Sequence, residues 1–85
     1  MYDVQLSNKA IKFLRHLPKD YGDAIKNRLA ELHETIMPRD SKQLKGHFNC
    51  YRLRVGPFRI QYHFLEKENI ILVYKISKRD EAYQK

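Results

Sequence analysis

Between Ser41 and Leu65 the chain holds no Asp or Glu, yet it carries Lys42, Lys45, Arg52, Arg54 and Arg59, with His47 and His63 among them. Guanidinium groups present rigid forks of N–H donors that match the paired oxygens of a phosphate. An arginine cluster without a neighbouring carboxylate is what a phosphate site looks like before its ligand arrives. A second basic group follows near the C-terminus, where Lys78 and Arg79 precede Tyr83. An aromatic ring beside arginines can stack an unpaired nucleobase. His63 adds a side chain of a type that titrates near neutrality, which makes it a candidate proton carrier.

The elements around these residues decide whether they converge. From Tyr51 the pattern has period two: Tyr51, Leu53 and Val55 alternate with Arg52 and Arg54, and Phe58, Ile60, Tyr62 and Phe64 alternate with Arg59, Gln61 and His63. That is a hairpin with one apolar and one polar face. Gly56-Pro57 reads as a two-residue turn, which would pair Val55 with Phe58, Arg54 with Arg59, and Arg52 with Gln61. Two arginines directly opposed on one face destabilise a sheet by roughly a few tenths of a kcal/mol or more. A sequence selected for stability alone would place Glu or Thr there.

Upstream, Tyr2–Leu6 alternates like a short strand. Ser7 suits a helix N-cap, with Leu6 and Ile11 spaced as a hydrophobic staple. Ala10, Phe13, Leu14 and Leu17 form one apolar stripe, and Pro18 stops that helix. A second helix is expected from about Lys19 to Ile36, with Tyr21, Ile25, Leu29, Leu32 and Ile36 on one face. Residues 37–49 read as a loop. The continuous apolar run Ile70–Tyr74 suggests a strand buried on both sides. The order β-α-α-β-β-β gives an α+β fold: two N-terminal helices packed on a small antiparallel β-sheet, with the arginine face left open.

Composition narrows the class. Residues 1–85 make a single domain. Seventeen Lys and Arg against ten Asp and Glu give a net charge of +7. The excess is uneven: residues 1–44 have eight basic and six acidic groups, a net of +2, while residues 45–85 have nine and four, a net of +5. That favours a polyanionic partner. The lone Cys50 excludes a disulfide framework and fits a reducing, cytoplasmic compartment. No apolar run approaches a membrane span, and MYDVQLSNKA lacks the apolar run of a leader. His16, His33, His47 and His63 do not fall at zinc-ligand spacings, and there is no glycine-rich phosphate loop, so neither a metal nor a cofactor is expected. His16 and His33 read as surface residues of the helices.

The ordered set of a first helix ending in Leu17-Pro18, then Gln43-Leu44-Lys45-Gly46, Tyr51-Arg52-Leu53-Arg54-Val55-Gly56, Phe58-Arg59-Ile60-Gln61-Tyr62 and Ser77-Lys78-Arg79-Asp80-Glu81-Ala82-Tyr83 resembles the RelE/ParE superfamily of toxins, and its RelE-like branch most. The resemblance covers nearly the whole chain. It implies a toxin of a toxin–antitoxin system: an endoribonuclease that cuts mRNA in the ribosomal A site without metal, leaving a 2′,3′-cyclic phosphate, and a cognate antitoxin that masks it. By matching position, Arg54, Arg59, Arg79 and Tyr83 would be the catalytic set. Lys45, Arg52 and Lys78 would bind RNA, including ribosomal RNA, and His63 is the fallback proton carrier. The sequence departs from the family where Arg52 and Arg54 replace lysines, one of which is implicated in accepting the 2′-OH proton. A guanidinium keeps its proton throughout the physiological range and is a poor base. Two other readings stay open: a ParE-like DNA gyrase inhibitor, and a catalytically weak nucleic-acid-binding homologue.

Overall fold

The computed structural model describes residues 1–78. Ser7 starts the helical part as expected. Its Oγ accepts a hydrogen bond from the Ala10 backbone N–H at 3.1 Å, capping helix α1 (Asn8–Arg15). The same hydroxyl donates to the Tyr74 carbonyl at 3.1 Å, so the cap also ties the helix to the sheet. Ala10 is fully buried, and Phe13, Leu14 and Leu17 pack against the core. Ile11 is 37% exposed, which leaves the expected staple open on one side.

Helix α2 (Lys19–Glu31) is shorter than its apolar stripe suggests. Leu32 is fully buried, but its N–H and that of His33 turn back to carbonyls three residues earlier, so the helix tightens and ends there. His33 is drawn out to meet the start of the chain: the Tyr2 N–H donates to the His33 carbonyl at 2.8 Å, and His33 Nδ1 lies 2.9 Å from the Tyr2 carbonyl. His33 is therefore half-buried and partnered, not the surface residue expected.

Five strands form one sheet: β1 (Asp3–Leu6), β2 (Ser41–Gln43), β3 (Cys50–Val55), β4 (Phe58–Leu65) and β5 (Ile70–Lys78), in the order β1-β5-β4-β3-β2. All neighbours are antiparallel except β1 and β5. Strand β2 lies within the stretch expected to be loop. It is three residues long, too short for a period, and its pairing with β3 fixes it: Ser41 opposite Leu53, Lys42 opposite Arg52, Gln43 opposite Tyr51. The 3₁₀ turn Glu66–Glu68 joins β4 to β5, ending in the left-handed Asn69.

The core lies between the helices and one sheet face. Ile25, Leu29 and Leu32 meet Tyr51, Leu53, Phe58, Ile60, Tyr62, Ile71, Val73 and Ile76. Phe58 is held edge-on by Phe13 at 6.0 Å and Tyr21 at 5.1 Å, while Tyr51 and Tyr62 stack across β3 and β4 at 5.5 Å. Strand β5 is not buried on both sides. Ile71 and Val73 are fully covered, but Ile70, Leu72 and Tyr74 are only half-buried. Gln61 pairs with Lys75 and Tyr62 with Val73, so Tyr74 is the extra residue of a β-bulge. The bulge flips the parity of the strand, which is why both Val73 and Ile76 reach the core.

Tyr62 is buried, and its hydroxyl donates to the Ile36 carbonyl at 2.6 Å, anchoring the segment after α2 to the sheet. Burial pushes its pKa from 10.0 up to about 12. A phenol with a raised folded pKa stabilises the fold fully below its unfolded pKa and loses that contribution as pH rises through the folded one. The loss therefore falls between pH 10.0 and about 12, and is on the order of 2 kcal/mol. Tyr62→Phe should cost about 1 kcal/mol at pH 7 by removing the hydrogen bond. The stability gap to the parent protein, read from urea melts, should then narrow across that alkaline window. A constant gap would contradict it.

Candidate nucleic-acid interface

The hairpin places the arginines by its turn. Gly56 has φ +55°, and the ring of Pro57 holds its own φ negative, so of the two primed hairpin turns only the one with positive φ at its first position alone fits. The observed register pairs Val55 with Phe58, Arg54 with Arg59, Leu53 with Ile60 and Arg52 with Gln61, as the spacing predicts. Phe58 and Ile60 point to the core, which sends Arg52, Arg54, Arg59 and Gln61 to the opposite face.

Neighbouring strands extend that face into two transverse rows. The first runs Lys42, Arg52, Gln61, Lys75 across β2, β3, β4 and β5. At about 4.8 Å between strands it spans roughly 14 Å. The second runs Arg54, Arg59, Ser77, one pleat further along. Arg54 is exposed, and Arg52 and Arg59 are half-buried. Ser77 is 7% exposed, and its Oγ has no hydrogen-bond partner among the described residues. The Arg54 N–H donates to the Asp40 carbonyl at 3.1 Å, which pins β3 to the chain entering β2. Lys45 joins the first row from the loop after β2: Lys42, Gln43, Leu44, Lys45, Arg52 and Arg59 line one surface depression. Two ion pairs, Lys19 with Asp23 and Arg28 with Glu31, lie on α2, off this face.

Lys45, Arg52, Arg54 and Arg59 thus converge. His63 does not join them. It shares the face but sits four residues beyond Arg59 on β4, roughly 13 Å along the strand, opposite Cys50 and Leu72. Lys78 pairs with the core residue Phe58, so the bulge puts it on the helix side of the sheet at the end of β5. Arg79 and Tyr83 lie outside the described residues. Lys75, Ser77 and Tyr74 were not singled out from the sequence, because the bulge that sets their parity leaves no mark in an unbroken apolar run. Tyr74 reaches toward Cys50; burial and, next, the Cys50 thiol beside it hold its phenol above the ordinary tyrosine range. No group of three His, Cys, Asp or Glu that could hold a metal occurs among the described residues. Among the described residues, no helix is long and apolar enough to cross a membrane.

The family described as the ParE toxin of type II toxin–antitoxin systems, parDE, matches residues 4–83. The chain belongs to the RelE/ParE toxin superfamily. Within it, a Methanocaldococcus jannaschii protein assigned as toxin RelE1 is 35% identical, over 98% of this chain and 96% of that one. The RelE–RelB complex of Pyrococcus horikoshii OT3 contains a chain that superposes with a TM-score of 0.82 at 28% identity, covering 92% of this chain and 94% of that one. The isolated RelE toxin of E. coli superposes with a TM-score of 0.81 at 21% identity, covering 92% and 84%, and shares the fold. The chain is thus a RelE-like toxin of a toxin–antitoxin system, although the superfamily description that matches carries the ParE name.

The register sets two like charges, Arg54 and Arg59, directly opposite each other on this face. Replacing Arg54 with Thr should raise stability by a few tenths of a kcal/mol, roughly, at low ionic strength, with the gain shrinking as salt screens the charges. Denaturant melts of parent and variant at two salt concentrations check this; a salt-independent loss of stability would refute it.

Proposed function

We propose that the protein is a ribosome-dependent endoribonuclease that cleaves mRNA in the A site and so inhibits translation in the cytoplasm. The observation that supports it best is the double row of cations on a rigid strand face, with Arg54 opposite Arg59, in a chain whose named relatives are RelE toxins. In this reading the RNA's own 2′-oxygen attacks the adjacent phosphorus in line. The P–O2′ bond forms, the P–O5′ bond breaks, the 2′ proton leaves to a base, and the departing 5′-oxygen takes up a proton. The attacking group belongs to the substrate, so no metal-bound water is required.

Arg54 and Arg59 bind the scissile phosphate and offset the charge it gains in the transition state. Arg52, Lys45 and Lys42 hold the flanking backbone or ribosomal RNA. Arg79 completes the phosphate clamp and Tyr83 stacks a base or moves a proton, both by sequence match to the family. Lys78 contributes at most to long-range attraction, given its place on the helix side. With guanidinium groups in place of lysines, charge stabilisation carries more of the catalysis than proton transfer does. His63 is too far along β4 from Arg59 to serve a proton at the same phosphate without a relay. A cognate antitoxin is the second partner, since the P. horikoshii and M. jannaschii relatives were crystallised as RelE–RelB complexes.

On programmed ribosomes, Arg59→Ala should lower A-site cleavage by about a hundredfold or more, and a 2′-deoxy sugar at the cut position should abolish it. Undiminished cleavage in either case would overturn the proposal. The ParE name of the matching family gives the gyrase reading its footing. Inhibition of gyrase supercoiling by the purified chain, with no mRNA cleavage, would decide for that alternative.

A further inference from the structure

Three of the four phenylalanines are packed: Phe58 is buried, and Phe13 and Phe64 lie against the core with ring partners. Phe48 is 80% exposed. It does not sit on a loose end. The loop that carries it is closed by Leu44 N–H to the Cys50 carbonyl at 2.8 Å and Cys50 N–H to the His47 carbonyl at 3.1 Å, and Phe64 N–H ties Asn49 to β4 at 2.8 Å. Gly46 at φ +76° and Asn49 at φ +59° set its two bends. A whole aromatic ring is therefore held out in water by a fixed backbone, forgoing the burial free energy that the other phenylalanines gain.

Its surroundings indicate what would cover it. Gln43, Leu44, Lys45, Gly46, His47 and Phe48 line a depression that shares Gln43, Leu44 and Lys45 with the one reaching Arg52 and Arg59. A continuous path thus runs from the arginine rows past Lys45 to the ring. No carboxylate occurs in the sequence from Ser41 to Leu65. Around the ring the depression is lined by the half-buried Leu44 and by Gln43, Lys45, Gly46 and His47, so the apolar part is one ring and one leucine among polar and small residues, smaller than the contiguous patch a protein partner buries. A single ring beside cations on a phosphate-binding track suits an unpaired base, whose π-face stacks whatever its identity.

We propose that Phe48 is a stacking platform for an unpaired base of the RNA whose backbone lies on the arginine rows. The inference rests on the RNA-cleaving reading and adds a binding contact outside the catalytic set. The sequence has no tryptophan, so Phe48→Trp in the full chain supplies a single reporter. A short single-stranded oligoribonucleotide carrying 2′-O-methyl sugars, which cannot be cut, should quench it saturably. Phe48→Ala should weaken that oligonucleotide by roughly ten- to a hundredfold. Phe48→Tyr should retain affinity and Phe48→Leu should lose it, because stacking needs a π-face and not mere apolarity. Circular dichroism verifies that each variant is folded. Absence of quenching, Leu performing as well as Phe, or a Phe48→Ala defect confined to antitoxin binding would each overturn the inference. If the parent protein cleaves mRNA on ribosomes while Phe48→Ala binds the oligonucleotide normally, the platform fails and the cleavage reading stands. If Phe48 governs binding but the parent protein never cleaves, the platform stands and the cleavage reading fails.

Discussion

The two-residue turn at Gly56-Pro57 sets the register of β3 against β4, and nearly everything functional depends on that register. Side chains on a strand alternate with period two, so a slip of β4 by one residue against β3 would send Phe58, Ile60 and Tyr62 into water and Arg59 into the core. The apolar face therefore locks the polar one. Burial of Phe58 against Phe13 and Tyr21, and the stacked Tyr51 and Tyr62, hold the hairpin in the alignment that leaves Arg54 facing Arg59. Any repulsion between those arginines, roughly a few tenths of a kcal/mol, is small beside the burial that enforces their alignment.

The strands on either side widen the pair into a surface. Strand β2 adds Lys42 opposite Arg52 and delivers Lys45 and Phe48 on the loop that follows. Strand β5 adds Lys75 opposite Gln61 and Ser77 opposite Arg59. The sheet backbone fixes where each of these cations is rooted, and in the proposed reaction that placement favours charge stabilisation of a transition state.

The hairpin, its pairing and the open face were legible in the sequence because each rests on strict alternation over six and eight residues. The capped first helix was legible for a similar reason, since Ser7 and Pro18 mark its ends chemically. Strand β2 was not, because three residues carry no period and its pairing with β3 decides it. The bulge at Tyr74 was hidden in an unbroken apolar run, and with it the fact that Lys78 belongs to the helix side while Ser77 lies beside Arg59. The end of α2 was misjudged because Leu32 and Ile36 keep the helical spacing, yet a tertiary bond from His33 to Tyr2 draws the chain away. His63 shares parity with Arg59 but not position, a distinction that a one-dimensional pattern does not show. Phe48 stood outside both periodicities, and only its exposure singles it out.

The chemistry proposed for the centre of the site is attack by the 2′-hydroxyl on a phosphate held between arginines. The 3′ end of the upstream mRNA fragment, recovered from programmed ribosomes treated with the purified protein, reports that chemistry directly. A 2′,3′-cyclic phosphate, with a 5′-hydroxyl on the downstream fragment, is the expected product. A 3′-hydroxyl with a 5′-phosphate downstream would mean that water, not the RNA, was the nucleophile, and would contradict the role assigned to the arginine face.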